Sequence, residues 1–396
     1  MGYGKLAKGF SEDEAKRKLQ QVMPLQKRET DFSGASPPSV FIGSHNYPKV
    51  SAGVLSPQQT HDSSLMDSPD KWFKEGYNIE RIASLRTSLV NSRKSFGKEE
   101  TGKFLDDAKE VAMAAKPVDI EVSLEKSPAQ SISAGRVKPV SAAGDLKQFR
   151  LGENPSVDRK VEKMYYDTDA KSETAVNELF QKGVDNYRIR QSFSVGMLGQ
   201  KNNRELVPTR WSITAVDDIV SKNMRDNLRD FQELGEIRYF QQSYVGNHFH
   251  IFLIPGQWEY ELIELKKSGS VWNQMKETYI AHNYEGPKGR TEYAEETAGA
   301  YYAARLGALE YLNDIKRNAK VLIVRDVTPD YWAPLGVWVI RETVRNAFDY
   351  YQILEDSEKI KYRLSNEFMF LYKRISGISK LLSERQTSLS NFARPV

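Results

Sequence analysis

The chain has 396 residues, of which 57 are lysine or arginine and 53 are aspartate or glutamate, giving a formal net charge of +4. This length allows one large domain or two ordinary ones, and the mild charge permits a local basic surface for nucleic acid without requiring one. The absence of cysteine excludes disulfide scaffolds, thiolate zinc sites, iron–sulfur clusters and cysteine nucleophiles. With no signal-peptide pattern and no apolar run of roughly 20 residues, we expect a cytoplasmic protein without membrane association.

Apolar side chains recur at helical or strand spacing in five segments of the N-terminal half. The predicted elements are helices over 8–28, 81–96 and 172–183 and strands over 117–125 and 187–198. Between the first two helices, residues 32–57 are rich in Gly, Pro and Ser and predict loops. The stretch 131–145, which is rich in Ser, Ala and Gly, is the best candidate for a domain boundary in this half.

The C-terminal half predicts helices around a β-rich centre. Its predicted elements are helices over 211–231, 290–315 and 343–385, two or three strands over 236–265 and a buried strand over 319–328. The strands over 236–265 are expected to be antiparallel, with a turn near Pro255 and Gly256. Together these elements predict an α+β fold, with mixed or largely antiparallel sheets flanked by helices, a helical C-terminal region and a flexible C-terminal tail.

The chain ends in QTSLSNFARPV, in which Gln386, Leu389 and Phe392 fit the pattern Q-x-x-L-x-x-F. In one tight turn, positions three apart lie on one side, so the leucine and the phenylalanine can form a single apolar plug. The pattern resembles the motif that binds the sliding clamp PCNA, but Ala393 replaces its usual second aromatic residue. We therefore expect clamp binding of modest affinity; the alternative is a tail that folds back on its own core.

His248 and His250 alternate on a predicted strand, which places both imidazoles on one face. Such a pair suits a divalent metal ion or a phosphate group, and with Asp217 it forms a candidate catalytic set. The alternative is two half-buried, hydrogen-bonded histidines beside Phe249 and Phe252.

The segment VPTRWSITAVDD, residues 207–218, lies where a loop becomes a helix. Because a helix N-terminus attracts anions, Arg210, Trp211 and Thr214 are candidates for binding a nucleotide or nucleic acid. Asp217 could bind a divalent cation or act as a general base. The alternative is an ordinary helix start, with a Ser or Thr side chain as its cap.

Two further segments combine aromatic and polar residues. In DYWAPLGVWVIRETVR, Trp332 and Arg341 are candidates for stacking on bases and neutralising phosphate, or else for a core with a paired arginine and glutamate. In SPPSVFIGSHNYPKV, Gly43, His45 and Tyr47 lie in a rigid loop that could carry a binding site. The chain has no Walker A, dinucleotide, G-x-S-x-G, H-E-x-x-H or kinase motif, so no enzyme class follows from motifs alone.

Taken in order, these segments resemble the archaeal Nre family over nearly the whole chain. The resemblance rests on SPPSVFIGSHNYPKVSAG, Trp72, Arg86, LVPTRWSITAVDD, GNHFHIFLIPGQWEYELIE, AGAYYAARLGALEYL, DYWAPLGVWVIRETVR and the C-terminal motif. It implies an N-terminal helical segment over 1–30, two conserved regions over 31–205 and 206–383, and a clamp-binding tail over 384–396. Many members have a cysteine-containing, metal-binding-like N-terminal segment, and this chain has no cysteine there.

The resemblance implies a role in the response to DNA damage through PCNA. We expect a DNA-repair factor associated with chromosomal DNA, recruited to the clamp by its tail, with a folded core that binds nucleic acid or a nucleotide. Two alternatives stay open: an enzyme that hydrolyses phosphoryl or glycosidic bonds in nucleotides or DNA ends, and a non-catalytic adaptor. The sequence leaves the cofactor undetermined, and a divalent metal ion is one candidate.

Overall fold

The computed structural model of the protein describes residues 12–23, 29–58, 63–129, 141–273 and 275–383. Two six-stranded sheets, one from each half of the chain, dominate these residues, and helices cover them. Among the described strands, each sheet has four antiparallel neighbour pairs and one parallel pair. The predicted α+β class with mixed, largely antiparallel sheets is confirmed.

The first sheet is formed by the N-terminal half in the strand order β1-β5-β6-β4-β3-β2. Its strands are β1 (Asp31–Ser36), β2 (Val40–Gly43), β3 (Lys49–Pro57), β4 (Leu89–Gly97), β5 (Val118–Leu124) and β6 (Ala142–Leu151). Residues 32–57 therefore form three strands, and the loop prediction was wrong. The glycines serve close packing, because a Cβ at Gly43 would lie 2.5 Å from Ser51 Oγ and one at Gly53 would overlap Asn91.

Seven helices of the described N-terminal half accompany this sheet. They are α1 (Glu12–Val22), α2 (Pro69–Lys74), α3 (Ile79–Thr87), α4 (Lys103–Met113), α5 (Arg159–Tyr166), α6 (Ser172–Gln181) and α7 (Asn186–Ser194). The helix predicted to end at Gly183 is confirmed by α6, and that glycine has a φ of +72°. The helix predicted over 81–96 was half wrong, since it ends at Thr87 and β4 follows. The strand predicted over 187–198 was wrong, because Asp185 caps a helix there by accepting a hydrogen bond from Tyr187 N at 2.9 Å.

The second sheet has the order β11-β10-β13-β9-β8-β14. The strands of this half are β7 (Gln232–Glu233), β8 (Ile237–Tyr244), β9 (Asn247–Ile254), β10 (Glu259–Lys266), β11 (Tyr279–Glu285), β12 (Arg317–Asn318), β13 (Lys320–Val327) and β14 (Gln352–Leu354), with β7 and β12 forming a separate pair. The hairpin turn is at Val245 and Gly246, whose φ values of 42° and 75° suit a type I′ turn. As expected, β9 and β10 run antiparallel and the chain bends between them at Pro255 and Gly256, but they are not neighbours, because each pairs with β13, which lies between them.

Five helices follow in the described C-terminal half. They are α8 (Thr209–Asn227), α9 (Gly299–Asp314), α10 (Trp338–Arg345), α11 (Ser357–Glu367) and α12 (Tyr372–Ile378). Val216 and Val220 of α8 lie in the core of the first sheet, whereas α9 and α10 pack on the second. Because α8 also packs along α9, it joins the two halves. In the part of the chain that the structure describes, no helix combines the length and apolarity needed to cross a membrane.

Candidate functional site: a basic cleft between the two sheets

A cleft with a volume of about 1400 Å³ lies between the two halves of the protein. Val40 and Asn91 line it from the first sheet, and Glu264 and Arg325 line it from the second. The rest of its wall comes from loops, among them residues 290–298 and 334–337, and from the helices α2, α7, α8, α9 and α10. Large clefts between structural units are the usual position of ligand sites, so this one is the candidate functional site.

The lining of the cleft is basic. Among the described residues that line it, seven are aspartate or glutamate and ten are lysine or arginine, the latter being Lys71, Arg86, Lys116, Arg188, Arg190, Arg210, Lys222, Lys266, Arg290 and Arg325. Some of the carboxylates already have cationic partners: Glu264 pairs with Arg325 and with Lys266, the latter at 3.1 Å. The excess charge facing a ligand is therefore positive, which favours an anion.

Arg190 of α7 is a buried cation in this lining, with only 7% of its surface exposed. Its Nε donates to the carbonyl oxygen of Asn186 at 3.2 Å, and its guanidinium lies 4.2 Å from the centre of the Tyr187 ring. Among the described residues, no carboxylate lies within 4.0 Å of it. Burial, and secondly the nearby Arg341, lower its pKa to about 10, so it stays charged at neutral pH. A buried charge without an ion-pair partner is costly, and an anionic ligand would offset that cost.

Exposed aromatic rings lie around the cleft. Trp211 is 42% exposed and Tyr293 is 50% exposed, and both line it. The Trp211 ring packs edge-on against Tyr47, with centroids 4.8 Å apart, and Tyr293 stacks on Tyr302 at 5.5 Å. Rings that are held by a neighbour and still expose surface are suited to stacking on nucleobases.

Three residues that the sequence marked as binding candidates line the cleft: Arg210, Trp211 and Thr214. They belong to the first turns of α8, which begins at Thr209 after Pro208 and has no side-chain cap. The interpretation of this segment as an ordinary helix capped by a Ser or Thr side chain was therefore wrong. The exposed side chain of Arg210 extends the basic lining.

The segment SPPSVFIGSHNYPKV, residues 36–50, reaches the cleft only in part. Tyr47 contacts Trp211 at its edge, whereas Gly43 and His45 are not among the lining residues. Gly43 ends β2 and packs against Ser51, and His45 is exposed. The neighbouring residues 38–41 form the part of this segment that lines the cleft.

Asp217, Arg341 and Trp332 lie behind the cleft wall. Asp217 and Arg341 form an ion pair in which both side chains are fully buried, and Asn186 Nδ2 donates to the same carboxylate at 3.3 Å. Trp332 is buried, and its Nε1 donates to Glu80 at 3.2 Å. These contacts hold helices together, and we propose that the three residues are structural.

His248 and His250 lie on the other face of the second sheet. Strand alternation places Phe249 beside Arg325, which lines the cleft, and turns both histidines away from it. The His250 ring is buried and hydrogen-bonded to the Tyr239 hydroxyl at 2.8 Å. The structure therefore does not bring the histidines together with Asp217. Within the described ranges, no group of three or more His, Asp or Glu side chains is arranged to hold a metal ion.

Sequence reasoning missed Arg190 and Tyr187, because their segment was predicted to be a strand. The signal that could have found them is the pair Asp185–Asn186, a typical helix start that would have placed both residues on α7. The proposed clamp-binding residues Gln386, Leu389 and Phe392 lie outside the described residues.

Fold and site together define a two-sheet α+β protein with a basic, aromatic-rimmed cleft. The family model described as archaeal Nre, N-terminal, matches residues 14–273, and the model described as archaeal Nre, C-terminal, matches residues 285–392. The chain belongs to the archaeal Nre family.

Named relatives extend this assignment. The chain is 42% identical to DNA repair protein NreA of Haloferax volcanii over 328 residues, which cover 80% of this chain and 78% of the relative. It is 35% identical to DNA repair protein NreA of Archaeoglobus fulgidus, with 90% and 89% covered, and 34% identical to DNA repair protein NreB of the same organism, with 83% of each covered. No solved structure matches the chain.

Proposed function

We propose that this protein acts in DNA repair and that its cleft binds single-stranded nucleic acid. The names of the relatives support the first part. The observation that carries the second is the placement of Trp211 and Tyr293, both substantially exposed, in the same cleft as Arg190 and Arg210.

The chemistry of the lining suits an unpaired strand better than a duplex. Bases in a duplex are stacked on each other, whereas a single strand can place its bases on Trp211 and Tyr293. Arginines beside the rings, such as Arg210, would neutralise the phosphates between the stacked bases. Stacking contributes about 1–3 kcal/mol per base and tolerates any sequence. Binding of this kind suits a protein that meets DNA damage in many sequence contexts.

The C-terminal tail gives the proposed route to DNA. Gln386, Leu389 and Phe392 would bind the sliding clamp PCNA and hold the cleft close to chromosomal DNA. Tethering raises the local concentration of DNA at the cleft, so a weak intrinsic affinity for nucleic acid is sufficient.

Fluorescence anisotropy with a labelled single-stranded oligonucleotide tests the binding proposal. Trp211→Ala should weaken binding by about 1–3 kcal/mol through lost stacking. Tyr350→Ala is the matched control, because Tyr350 is 90% exposed and is not among the residues that line the cleft. Equal affinities for the wild type and both variants would show that the strand does not bind at the cleft.

A further inference from the structure

Five of the described helices begin at the cleft: α2 and α7, which have Asp70 and Asp185 at their starts, and α8, α9 and α10. Thr209 of α8, Gly299 of α9 and Trp338 of α10 all line it. None of these three helices has a capping side chain, and none carries an acidic residue in its first turn. Each therefore presents the partial positive charge of its N-terminus without the carboxylate or hydroxyl that helices commonly place there.

The starts of α9 and α10 adjoin each other, and the second turn of α8 lies beside them. A Cβ at Gly299 would lie 3.0 Å from Val337 Cγ1, at the start of α10, and 3.8 Å from Thr214 Oγ1, in the second turn of α8. No side chain at position 299 fills the space between these helices. The starts of all three helices line the same cleft, so their N-terminal dipoles make its potential more positive, which suits it to a group with several anionic oxygens.

Arg190 adds a full charge to the same region. The centre of the Tyr187 ring lies 4.2 Å from its guanidinium and 5.7 Å from that of Arg341 of α10. One turn further along α7, Ser194 Oγ lies 3.3 Å from the hydroxyl of Thr209, the first residue of α8. Arg190 is thus a nine-tenths buried cation in the cleft, one turn from the contact between α7 and the start of α8 and without an ion-pair partner among the described residues.

The carboxylates nearest these helix starts have other partners. Asp218 of α8 is paired with Arg305 and with Lys222, the latter at 2.7 Å. Asp185 caps α7, and burial raises its pKa. Glu296 accepts a hydrogen bond from the backbone nitrogen of His282 at 2.9 Å. Asp218 is therefore neutralised by cations, whereas Asp185 and Glu296 keep their charge but already accept hydrogen bonds from backbone amides.

We infer that this region of the cleft binds a phosphomonoester, the terminal phosphate carried by a free nucleotide or by the end of a DNA strand. A phosphomonoester carries about 1.5 to 2 negative charges and three acceptor oxygens, against one charge on an internal phosphodiester. Its oxygens can accept from helix-terminal amides and from both Nη groups of one arginine. The inference rests on the proposed function and makes it more specific: the cleft receives a strand by its phosphorylated end.

Isothermal titration calorimetry with two ligand pairs tests this inference. The first pair is deoxyadenosine monophosphate and deoxyadenosine; the second is a short oligothymidylate with and without a 5′-phosphate. We expect the phosphorylated member to bind roughly tenfold more tightly or better, as for hydrogen bonds to a charged group. A preference within the first pair alone assigns the site to free nucleotides, and one within the second pair assigns it to strand ends. Equal affinities within both pairs would overturn the inference.

Two variants test whether the preference for phosphorylated ligands arises from Arg190 and the adjoining helix starts. Arg190→Gln removes the cation, and Thr214→Asp places a carboxylate beside the start of α9, where a negative charge favours the helix. Each should bring the affinities of phosphorylated and unphosphorylated ligands together. Arg363→Gln is the control, because this arginine packs on Tyr239, on the face of the second sheet turned away from the cleft. If Arg190→Gln does not fold, Thr214→Asp alone tests the position of the phosphate site. Its melting temperature shows whether that variant is folded. A full phosphate preference in a folded Thr214→Asp protein would overturn the placement.

The same titrations separate this inference from the proposed function. If the unphosphorylated oligonucleotide binds at the cleft and a 5′-phosphate adds nothing, the function stands and the phosphate region is overturned. If deoxyadenosine monophosphate binds through Arg190 and no oligonucleotide binds, the phosphate region stands and strand binding is overturned.

Discussion

Arg341 of α10 donates a hydrogen bond to Asp217 of α8, and both side chains are completely buried. This ion pair links a helix that packs on the second sheet to the helix whose apolar side chains enter the core of the first. Next to this ion pair, the hydroxyl of Tyr187 of α7 donates a hydrogen bond to Glu342 of α10 at 2.8 Å. The back wall of the cleft is therefore held by charged and polar contacts that join α7, α8 and α10.

Asp217→Ala should lower the free energy of unfolding by about 3–5 kcal/mol, because it leaves the guanidinium of Arg341 buried and uncompensated. Two further nitrogens of this guanidinium, Nε and Nη1, are already buried without a partner among the described residues. Urea unfolding measures the change. Asp226→Ala is the control, since Asp226 forms exposed ion pairs and should cost less than about 1 kcal/mol.

The double variant Asp217→Leu with Arg341→Met should be less destabilised than Asp217→Ala alone. Replacing both members of a buried ion pair with apolar side chains leaves no unpaired charge, whereas replacing one member does. If the double variant loses as much stability as the sum of the two single replacements, the ion pair does not act as a unit.

His250 should make stability depend on pH. Burial lowers its pKa to about 4, with smaller contributions from His248, Arg363 and Lys267, while Glu367 lies 4.0 Å from its Nε2. Because the unfolded histidine titrates near 6.5, the unfolded state binds more protons between pH 6.5 and 4, and stability falls as the pH falls through that range. The expected loss from this residue between pH 7 and pH 5 is about 2 kcal/mol.

His250→Gln should remove that part of the pH dependence, measured by urea unfolding at both pH values. His45→Gln is the control, because His45 is exposed and lies outside the second sheet. An unchanged difference between pH 7 and pH 5 in His250→Gln would show that this imidazole is as accessible to protons when folded as when unfolded.

The sequence predicted the fold class and most of the regular elements, because amphipathic spacing is a local property. It placed α8 and β13 correctly, and it found Arg210 and Trp211 because they open a helix. It failed where two patterns compete. Residues 81–96 keep helical spacing past Thr87, although pairing with β3 makes the second part a strand.

The rest of the cleft depends on contacts between distant parts of the chain. Its two halves come together through Asp217 and Arg341, which are separated by 124 residues. Nothing in the neighbourhood of Arg190 indicates that its charge lacks an ion-pair partner, because that depends on the packing of α8 and α10 around it. Burial of a charge and the convergence of helix ends are tertiary properties, and periodicity does not report them.

Gly246→Ala should destabilise the protein by about 2 kcal/mol or more, as expected where both backbone conformation and space oppose a side chain. This glycine has a φ of +75°, and a Cβ would collide with the backbone nitrogen of Tyr331 and lie 2.8 Å from the carbonyl carbon of Asp330. Gly235→Ala is the matched control, because a Cβ there meets nothing within 4 Å. Thermal unfolding distinguishes the two, and equal melting temperatures would contradict the close approach of this turn to residues 330–331.

Phe392→Ala should weaken binding to the sliding clamp by about 2 kcal/mol or more, because a buried aromatic anchor carries much of the energy of such an interface. Calorimetry with the full chain and purified clamp measures the loss. Ser390→Ala, within the same tail, should bind like the wild type. Clamp binding that survives Phe392→Ala unchanged would place the contact elsewhere on the protein.

The most direct test of strand binding in the cleft is ultraviolet cross-linking of a single-stranded oligonucleotide to the full chain, followed by mass spectrometry of the linked peptides. We predict links to Trp211 and Tyr293, which line the cleft, and few to Tyr350 and Tyr362, which are more exposed but lie outside its lining. Links should become fewer as salt is raised, because phosphate contacts release counterions. Links confined to the tyrosines outside the cleft would contradict the account.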